Sequence, residues 1–139
     1  MSATRTHVGI VTWSRRVREA RVIELQIADR LGAALAAAPT GGEKVALARA
    51  AARHGEYARF WDRVVPVLHD LDDELAIFDH FDPVDTTVGD DPQRVARVAT
   101  DQLVERYQRW RHEATPIADA PILRVLDLIL IEQRVTQPR

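Results

Sequence analysis

The chain has 139 residues, of which 46% are hydrophobic and 29% are charged, and its formal net charge at pH 7 is −2. This balance is typical of one packed globular domain and excludes a disordered chain, while the absence of cysteine excludes disulfides, thiolate metal ligands and cysteine nucleophiles. The slightly negative charge argues against nucleic acid as a partner, and the lack of a signal-type N-terminus or of a roughly 20-residue apolar run predicts a cytoplasmic protein without a membrane partner.

The N-terminal residues 1–14 lack a helical period, and we expect them to form an extended arm on a helical domain that comprises residues 15–137. In that domain apolar residues recur every three or four positions in four segments, and this pattern predicts four long helices. The first helix is predicted from about Arg15 to Ala38, with Ser14 as its N-cap.

The second predicted helix runs from Glu43 to about Leu71. Thr40 precedes Glu43 by three residues, which is the spacing of a capping box. The acidic loop of residues 70–91 follows, and it contains nine acidic residues but no lysine or arginine. Connections of this length between helices often carry function or a small element of their own.

The third predicted helix runs from Pro92 to about Ala114, with Asp90 or Asp91 as its N-cap, and the fourth runs from about Ala120 to Thr136 after the cap Asp119. The tight turn of residues 39–42 predicts that the first two helices are antiparallel neighbours. The predicted fold is therefore all-α, an antiparallel four-helix bundle with a long acidic loop between its second and third helices.

One ionisable residue interrupts each of the first two apolar stripes. Glu24 lies in the middle of the first stripe and His54 in the middle of the second, so we expect the two side chains to meet at a similar depth. Such a pair is often a buried hydrogen bond that fixes the register of two helices. It can also form a site for acid–base chemistry or for a metal.

Two further residues belong to this candidate catalytic site. Tyr57 lies one turn from His54 on the shoulder of the second stripe, and Glu132 is flanked by apolar residues in the fourth helix, which makes it a candidate inward carboxylate. The fourth helix is apolar nearly all round, so it is either central or covered by a second subunit, and this predicts a homodimer.

Several segments of the chain resemble the ferritin-like helical bundles, most closely the tRNA-hydroxylase-like branch of that superfamily. The resemblance lies in Glu24 together with the runs Leu47 to Trp61, Asp101 to Tyr107 and Leu126 to Val135. It implies a four-helix bundle and an oxidoreductase with iron or manganese, for which Glu24, His54 and Glu132 would be the metal ligands.

The ligand set that the resemblance implies is incomplete in this chain. Ferritin-like two-metal sites use a Glu-x-x-His from each of two helices, so that both side chains reach the metals from one face. This sequence contains no Glu-x-x-His, and the corresponding positions read His54-x-x-Tyr57 and Glu132-x-x-Val135. A metal-free site therefore stands as an alternative to iron or manganese.

Two main functions and two weaker alternatives remain open from the sequence. The first is a small enzyme that encloses an apolar or aromatic substrate inside the bundle, near Trp61, Tyr107 and Trp110, with His54 as base or metal ligand and Tyr57 as a donor to developing charge. The second is a metal-free interaction or scaffold protein that dimerises through the fourth helix. One weaker alternative is nucleic-acid binding through Arg94, Arg97 and Arg109. The other is a divalent-ion site formed by His69 and Asp73, near the end of the second helix, with Asp79 and His80 of the acidic loop.

Overall fold

The computed structural model describes residues 8–64 and 91–136, which form four α-helices around one hydrophobic core. Helix α1 spans Ile10–Ala37, α2 spans Gly41–Val64, α3 spans Pro92–Glu113 and α4 spans Ala120–Thr136. These two ranges contain no β-strand, so the predicted all-α class is confirmed for them. No helix among them is both long and apolar enough to cross a membrane.

Helix α1 begins earlier than its apolar period predicted. It starts at Ile10, so the expectation of an extended arm is wrong for residues 10–14, while residues 1–7 lie outside the described ranges. Ser14 is not an N-cap but a fully buried residue within the helix. The early start has a packing reason: Trp13 and Val17 lie one turn apart on the buried face, so this added turn joins the core.

The predicted caps can be examined at three helix starts. The Glu43 amide donates to Thr40 Oγ1 at 3.1 Å, and the Gln93 amide donates to Asp91 Oδ1 at 3.1 Å, so both predicted capping residues are confirmed. Asp119 instead accepts from the residue Thr115 of the preceding turn, at 2.8 Å from the amide and 3.2 Å from the hydroxyl. The predicted end of the second helix near Leu71 lies outside the described ranges, as does the acidic loop apart from Asp91.

Helix α1 packs against α2 and α3, and α4 packs against the same two helices. Ion pairs show which parts of these helices meet. Arg16 near the start of α1 pairs with Glu113 at the end of α3, and Arg111 near the end of α3 lies 2.5 Å from Asp127 in α4. The core between the helices is formed by the apolar stripes that the sequence predicts, with Glu24 and His54 within it.

Unequal helix lengths leave one end of this core open. Helix α4 has 17 residues, whereas α1 has 28. Near the end of α4, Glu132 lies 3.3 Å from Arg53, which is well inside α2. The first turns of α2 therefore extend beyond α4, and no other described helix fills the space between them and the start of α3. A cleft results at this end of the bundle.

Candidate functional site

The site is built on a buried contact between α1 and α2. Glu24 in α1 is 1% exposed, His54 in α2 is 5% exposed, and Glu24 Oε2 lies 2.6 Å from His54 Nδ1. The prediction that these two side chains meet is confirmed. Burying a carboxylate away from water is costly unless it is hydrogen-bonded, so this contact is a strong constraint on how α1 and α2 pack.

The second oxygen of Glu24 is also bonded. The Tyr107 hydroxyl in α3 donates to Glu24 Oε1 at 2.9 Å, and the Trp61 indole N–H in α2 donates to the same hydroxyl at 3.0 Å. Burial raises the pKa of Tyr107 well above its ordinary value, and the Glu24 carboxylate raises it further, so this tyrosine stays a neutral donor. Four buried side chains thus form one continuous hydrogen-bonded chain from Trp61 to His54.

Tyr107 and Trp61 were predicted as core aromatic residues near an enclosed substrate, but their hydrogen bonds towards Glu24 were not predicted. Both lie on predicted apolar stripes, and an apolar period identifies a core aromatic residue without showing where its polar atom points. The only clue to these bonds in the sequence was that a buried tyrosine or tryptophan usually has a hydrogen-bond partner for its O–H or N–H group. Glu24 and His54, the ionisable residues on the first two apolar stripes, were the obvious candidates for such partners.

Tyr57 lies beside the site without joining this chain of bonds. Its ring meets the His54 ring edge-on at a centroid distance of 5.6 Å, and its side chain is fully buried. Its hydroxyl makes no hydrogen bond of good geometry in the described part of the chain, although the Gln133 side chain lies close enough to lower its pKa slightly. Burial dominates, and with the Glu132 carboxylate it raises the pKa of Tyr57 strongly.

Glu132 lies at the edge of the bundle and is not part of the buried hydrogen-bonded group around Glu24. Its side chain is 45% exposed, and one carboxylate oxygen lies 3.3 Å from Arg53 Nε. The structure therefore brings Glu24 and His54 together, places Tyr57 against the imidazole, and leaves Glu132 on the outer side of α4. Its charge still reaches the site, since it is the second largest contribution to the raised pKa of Tyr57.

The open end of the bundle forms a cleft of about 560 Å³ that His54 lines. This volume lies within the usual range for small-molecule sites, about 300–1,000 Å³. The inner wall is aliphatic and the outer wall is polar; the other lining residues are Leu31, Glu43, Ala46, Leu47, Ala50, Arg53, Gln93, Ala96, Arg97, Thr100, Asp101 and Gln133. The large rings Trp61, Tyr107 and Trp110 contact one another in the core, and none of them lines this cleft.

The donor set of the site does not fit the two-metal centre that the resemblance implied. In residues 8–64 and 91–136, no group of three or more histidine, aspartate or glutamate side chains is placed to hold a metal ion. Both oxygens of Glu24 accept bonds from protein groups, and Glu105, which stands in the third-helix run, is exposed. The four candidate ligands of the divalent-ion site, His69, Asp73, Asp79 and His80, lie outside the described ranges.

The geometry suits proton transfer at one atom. Because Nδ1 of His54 is bonded to Glu24, Nε2 is the nitrogen that remains for a ligand in the cleft. A carboxylate at Nδ1 holds an imidazole in one orientation and stabilises the imidazolium that forms when Nε2 takes a proton. The described residues thus place an oriented imidazole in the lining of a cleft of suitable size.

Comparison with known proteins found no family model, no curated protein and no solved structure that matches this chain. The ferritin-like resemblance accordingly rests on the sequence pattern and stays an interpretation. Any assignment of function must be argued from the site itself.

Proposed function

We propose that the protein is a small enzyme in which His54 acts as a general acid–base on a small molecule bound in the cleft. One observation carries this proposal: His54 lines the cleft, and its Nδ1 lies 2.6 Å from the buried Glu24 Oε2. A charged residue and an imidazole are costly to bury, and a simple structural pair has no need of an adjoining cavity.

The cleft indicates the kind of molecule that it binds. Leu31, Leu47 and Ala96 give it an aliphatic wall, whereas Arg97 and Asp101 put charge at its rim. Such a lining fits a molecule with an apolar part and a polar part, the polar part being directed to the charged residues. The proposed substrate therefore differs from the apolar or aromatic compounds that the sequence suggested, because the cleft walls are aliphatic and polar.

In the proposed reaction, Nε2 of His54 takes a proton from the substrate or from a water molecule that attacks it. Glu24 keeps the ring in place and stabilises the positive charge that develops on it. A positioned general base of this kind contributes about 10²–10⁴-fold to the rate. This mechanism requires no metal, and both side chains that it uses, His54 and Glu24, belong to the chain.

The test is a comparison of two histidine variants on a defined library of small metabolites, with consumption followed by mass spectrometry. In His54→Asn the side-chain amide can still donate to Glu24, but the basic nitrogen is lost. His112→Ala is the control, because His112 is exposed on α3. We expect His54→Asn to lower turnover by about 10²–10⁴-fold, and His112→Ala to keep it.

Equal turnover in wild type and His54→Asn, with helical circular dichroism unchanged, would remove the acid–base role. Elemental analysis of protein purified without chelators or a histidine tag tests the metal alternative separately. Near-stoichiometric iron or manganese that is lost in Glu24→Ala would contradict the metal-free mechanism, since Glu24 would then have to give up a protein bond to bind it.

We also propose that the helices form an antiparallel, ferritin-like bundle. The pairing of Arg16 at the start of α1 with Glu113 at the end of α3 supports opposite directions for these two helices. Distances between spin labels at the helix ends test the arrangement. Labels at the start of α1 and the start of α3 should be a full helix length apart, and a short distance would refute it.

A second candidate function is a scaffold or interaction role through dimerisation, which one observation favours. Leu128, Ile131 and Val135 are 51%, 61% and 80% exposed, and they lie along one side of α4. This function predicts a dimer by light scattering at micromolar concentration, and a monomer after Ile131→Glu. Val98→Glu on α3, where Val98 is 47% exposed, is the control that should keep the dimer. A monomeric wild type would count against this role.

A further inference from the structure

The donor and the acceptor can be assigned in each hydrogen bond between Trp61 and His54, beginning at Trp61. An indole N–H can donate but never accept, so the 3.0 Å bond between Trp61 Nε1 and the Tyr107 oxygen can run only one way. The tyrosine oxygen is therefore an acceptor from Trp61, and its single hydrogen is available for another partner. That partner is Glu24 Oε1, at 2.9 Å.

Glu24 in turn meets a donor at each of its two oxygens. Tyr107 supplies the hydrogen at Oε1, and Oε2 faces His54 Nδ1 at 2.6 Å. An ionised carboxylate only accepts, so Nδ1 of His54 carries the hydrogen in that bond. In a neutral imidazole with a hydrogen on Nδ1, Nε2 has none, and Nε2 is then the basic atom.

We propose that Trp61 and Tyr107 are positioning residues: the Tyr107 hydrogen requires an acceptor from the side chain at position 24, and the other end of that side chain sets which ring nitrogen of His54 carries the proton. Neither residue lines the cleft, so neither is placed to touch a substrate there. Their role is to fix which end of the side chain at position 24 faces Tyr107, and therefore which end faces the imidazole. The inference concerns the site of the proposed function, but it is measured on the ring itself and does not depend on turnover.

The direction of these hydrogen bonds can be tested by replacing the carboxylate of Glu24, which accepts at both ends, with an amide. In Glu24→Gln, the hydrogen of Tyr107 still points at the side chain, so the carbonyl oxygen must face Tyr107. The amide NH₂ must then face His54 Nδ1, which becomes an acceptor, and the hydrogen of the neutral ring moves to Nε2. The tautomer in Glu24→Gln should be the reverse of the wild-type tautomer.

Removing the tyrosine hydroxyl should undo this reversal. In the double variant Glu24→Gln with Tyr107→Phe, no hydrogen fixes the amide, so it can turn over and present its carbonyl oxygen to His54. The tautomer with hydrogen on Nδ1 should then reappear. Tyr107→Phe alone is the matched control: it keeps the acceptor carboxylate at Glu24 and should keep the wild-type tautomer.

The measurement is a long-range ¹H–¹⁵N correlation spectrum of the histidine rings, recorded at about pH 9, where an ordinary imidazole is neutral. The spectrum distinguishes a nitrogen that carries hydrogen from one that does not. The signals of His54 are identified by their absence in His54→Asn. Circular dichroism of each variant shows that the helices are retained.

The proposal predicts hydrogen on Nδ1 in the wild type, on Nε2 in Glu24→Gln, and on Nδ1 again in a measurable fraction of the double variant. It is overturned if wild-type His54 carries its hydrogen on Nε2, or if Glu24→Gln and the double variant give the same tautomer. If the double variant is not folded, Glu24→Gln with Trp61→Phe replaces it, because the freed Tyr107 hydroxyl can then accept from the amide.

Discussion

The two tyrosines of the chain allow a direct measurement of what the bonds of Tyr107 contribute to stability. Tyr57 and Tyr107 are 0% and 1% exposed, so Tyr→Phe removes one buried hydroxyl at either position and little else. At Tyr107 the hydroxyl has two partners, Glu24 at 2.9 Å and Trp61 at 3.0 Å. At Tyr57 the hydroxyl makes no hydrogen bond of good geometry in the described part of the chain.

The expected magnitude follows from those partners. Loss of a hydrogen bond to a charged acceptor costs about 1.5–3 kcal/mol, and a buried N–H left without an acceptor costs about 1–3 kcal/mol. We therefore expect Tyr107→Phe to lower the free energy of unfolding by about 3 kcal/mol, which corresponds to a fall of about 12 °C in Tm at about 4 °C per kcal/mol. Tyr57→Phe should change it by less than about 1 kcal/mol.

The assay is urea unfolding followed by far-ultraviolet circular dichroism, with the denaturant dependence of the free energy checked for equality among the three proteins. Equal dependence shows that the variants change stability and not the extent of unfolding. The reasoning would be refuted by equal losses in the two variants, or by a larger loss at Tyr57. Either result would mean that the hydrogen bonds of Tyr107 do not stabilise the core.

Three further predictions concern other parts of the molecule. The Ser14 hydroxyl is buried without a partner among the described residues, so Ser14→Ala should raise the free energy of unfolding by about 1 kcal/mol in urea, and a loss would reveal an acceptor. Burial raises the pKa of Tyr57 and Tyr107 above the unfolded value of about 10, so their effect on stability is fully present below about pH 10 and is lost as the pH rises further. Tyrosinate absorbance should therefore appear only as helical circular dichroism is lost, and ionisation of a helical protein at about pH 10 would contradict this. Asp91→Ala removes the cap on the Gln93 amide and should cost about 1 kcal/mol, whereas Asp91→Asn should keep most of the stability.

Much of the fold could be predicted from the apolar period, because a helix can bury only one face. That period also located Glu24 and His54 as the two residues of the first two stripes that are not apolar, and the tight turn between the helices made their contact predictable. The start of α1 could not be predicted in this way. Trp13 is a poor indicator of helix by itself, and it joins α1 because it packs edge-on against Trp110 at 6.3 Å.

The position of Glu132 shows where the apolar period gives no information. Helix α4 is apolar nearly all round, so no polar face identifies its outer side, and an acidic residue between apolar neighbours can point either way. Contact with Arg53 of α2 places it at the rim. The role of Tyr107 was inaccessible for a different reason, since its bond to Glu24 joins residues 83 positions apart and depends on how three helices pack.

The aromatic core also gives the protein an optical property. All three tryptophans of the chain lie in one series of ring contacts, with centroids 6.3 Å apart between Trp13 and Trp110 and between Trp61 and Trp110. At such separations excitation passes between the rings before light is emitted, so their fluorescence forms one collective signal. The indole of Trp61 is hydrogen-bonded to Tyr107, so one of the three emitting rings is in direct contact with the hydrogen bonds that lead to Glu24. The unlabelled protein therefore carries a reporter of the state of its own site.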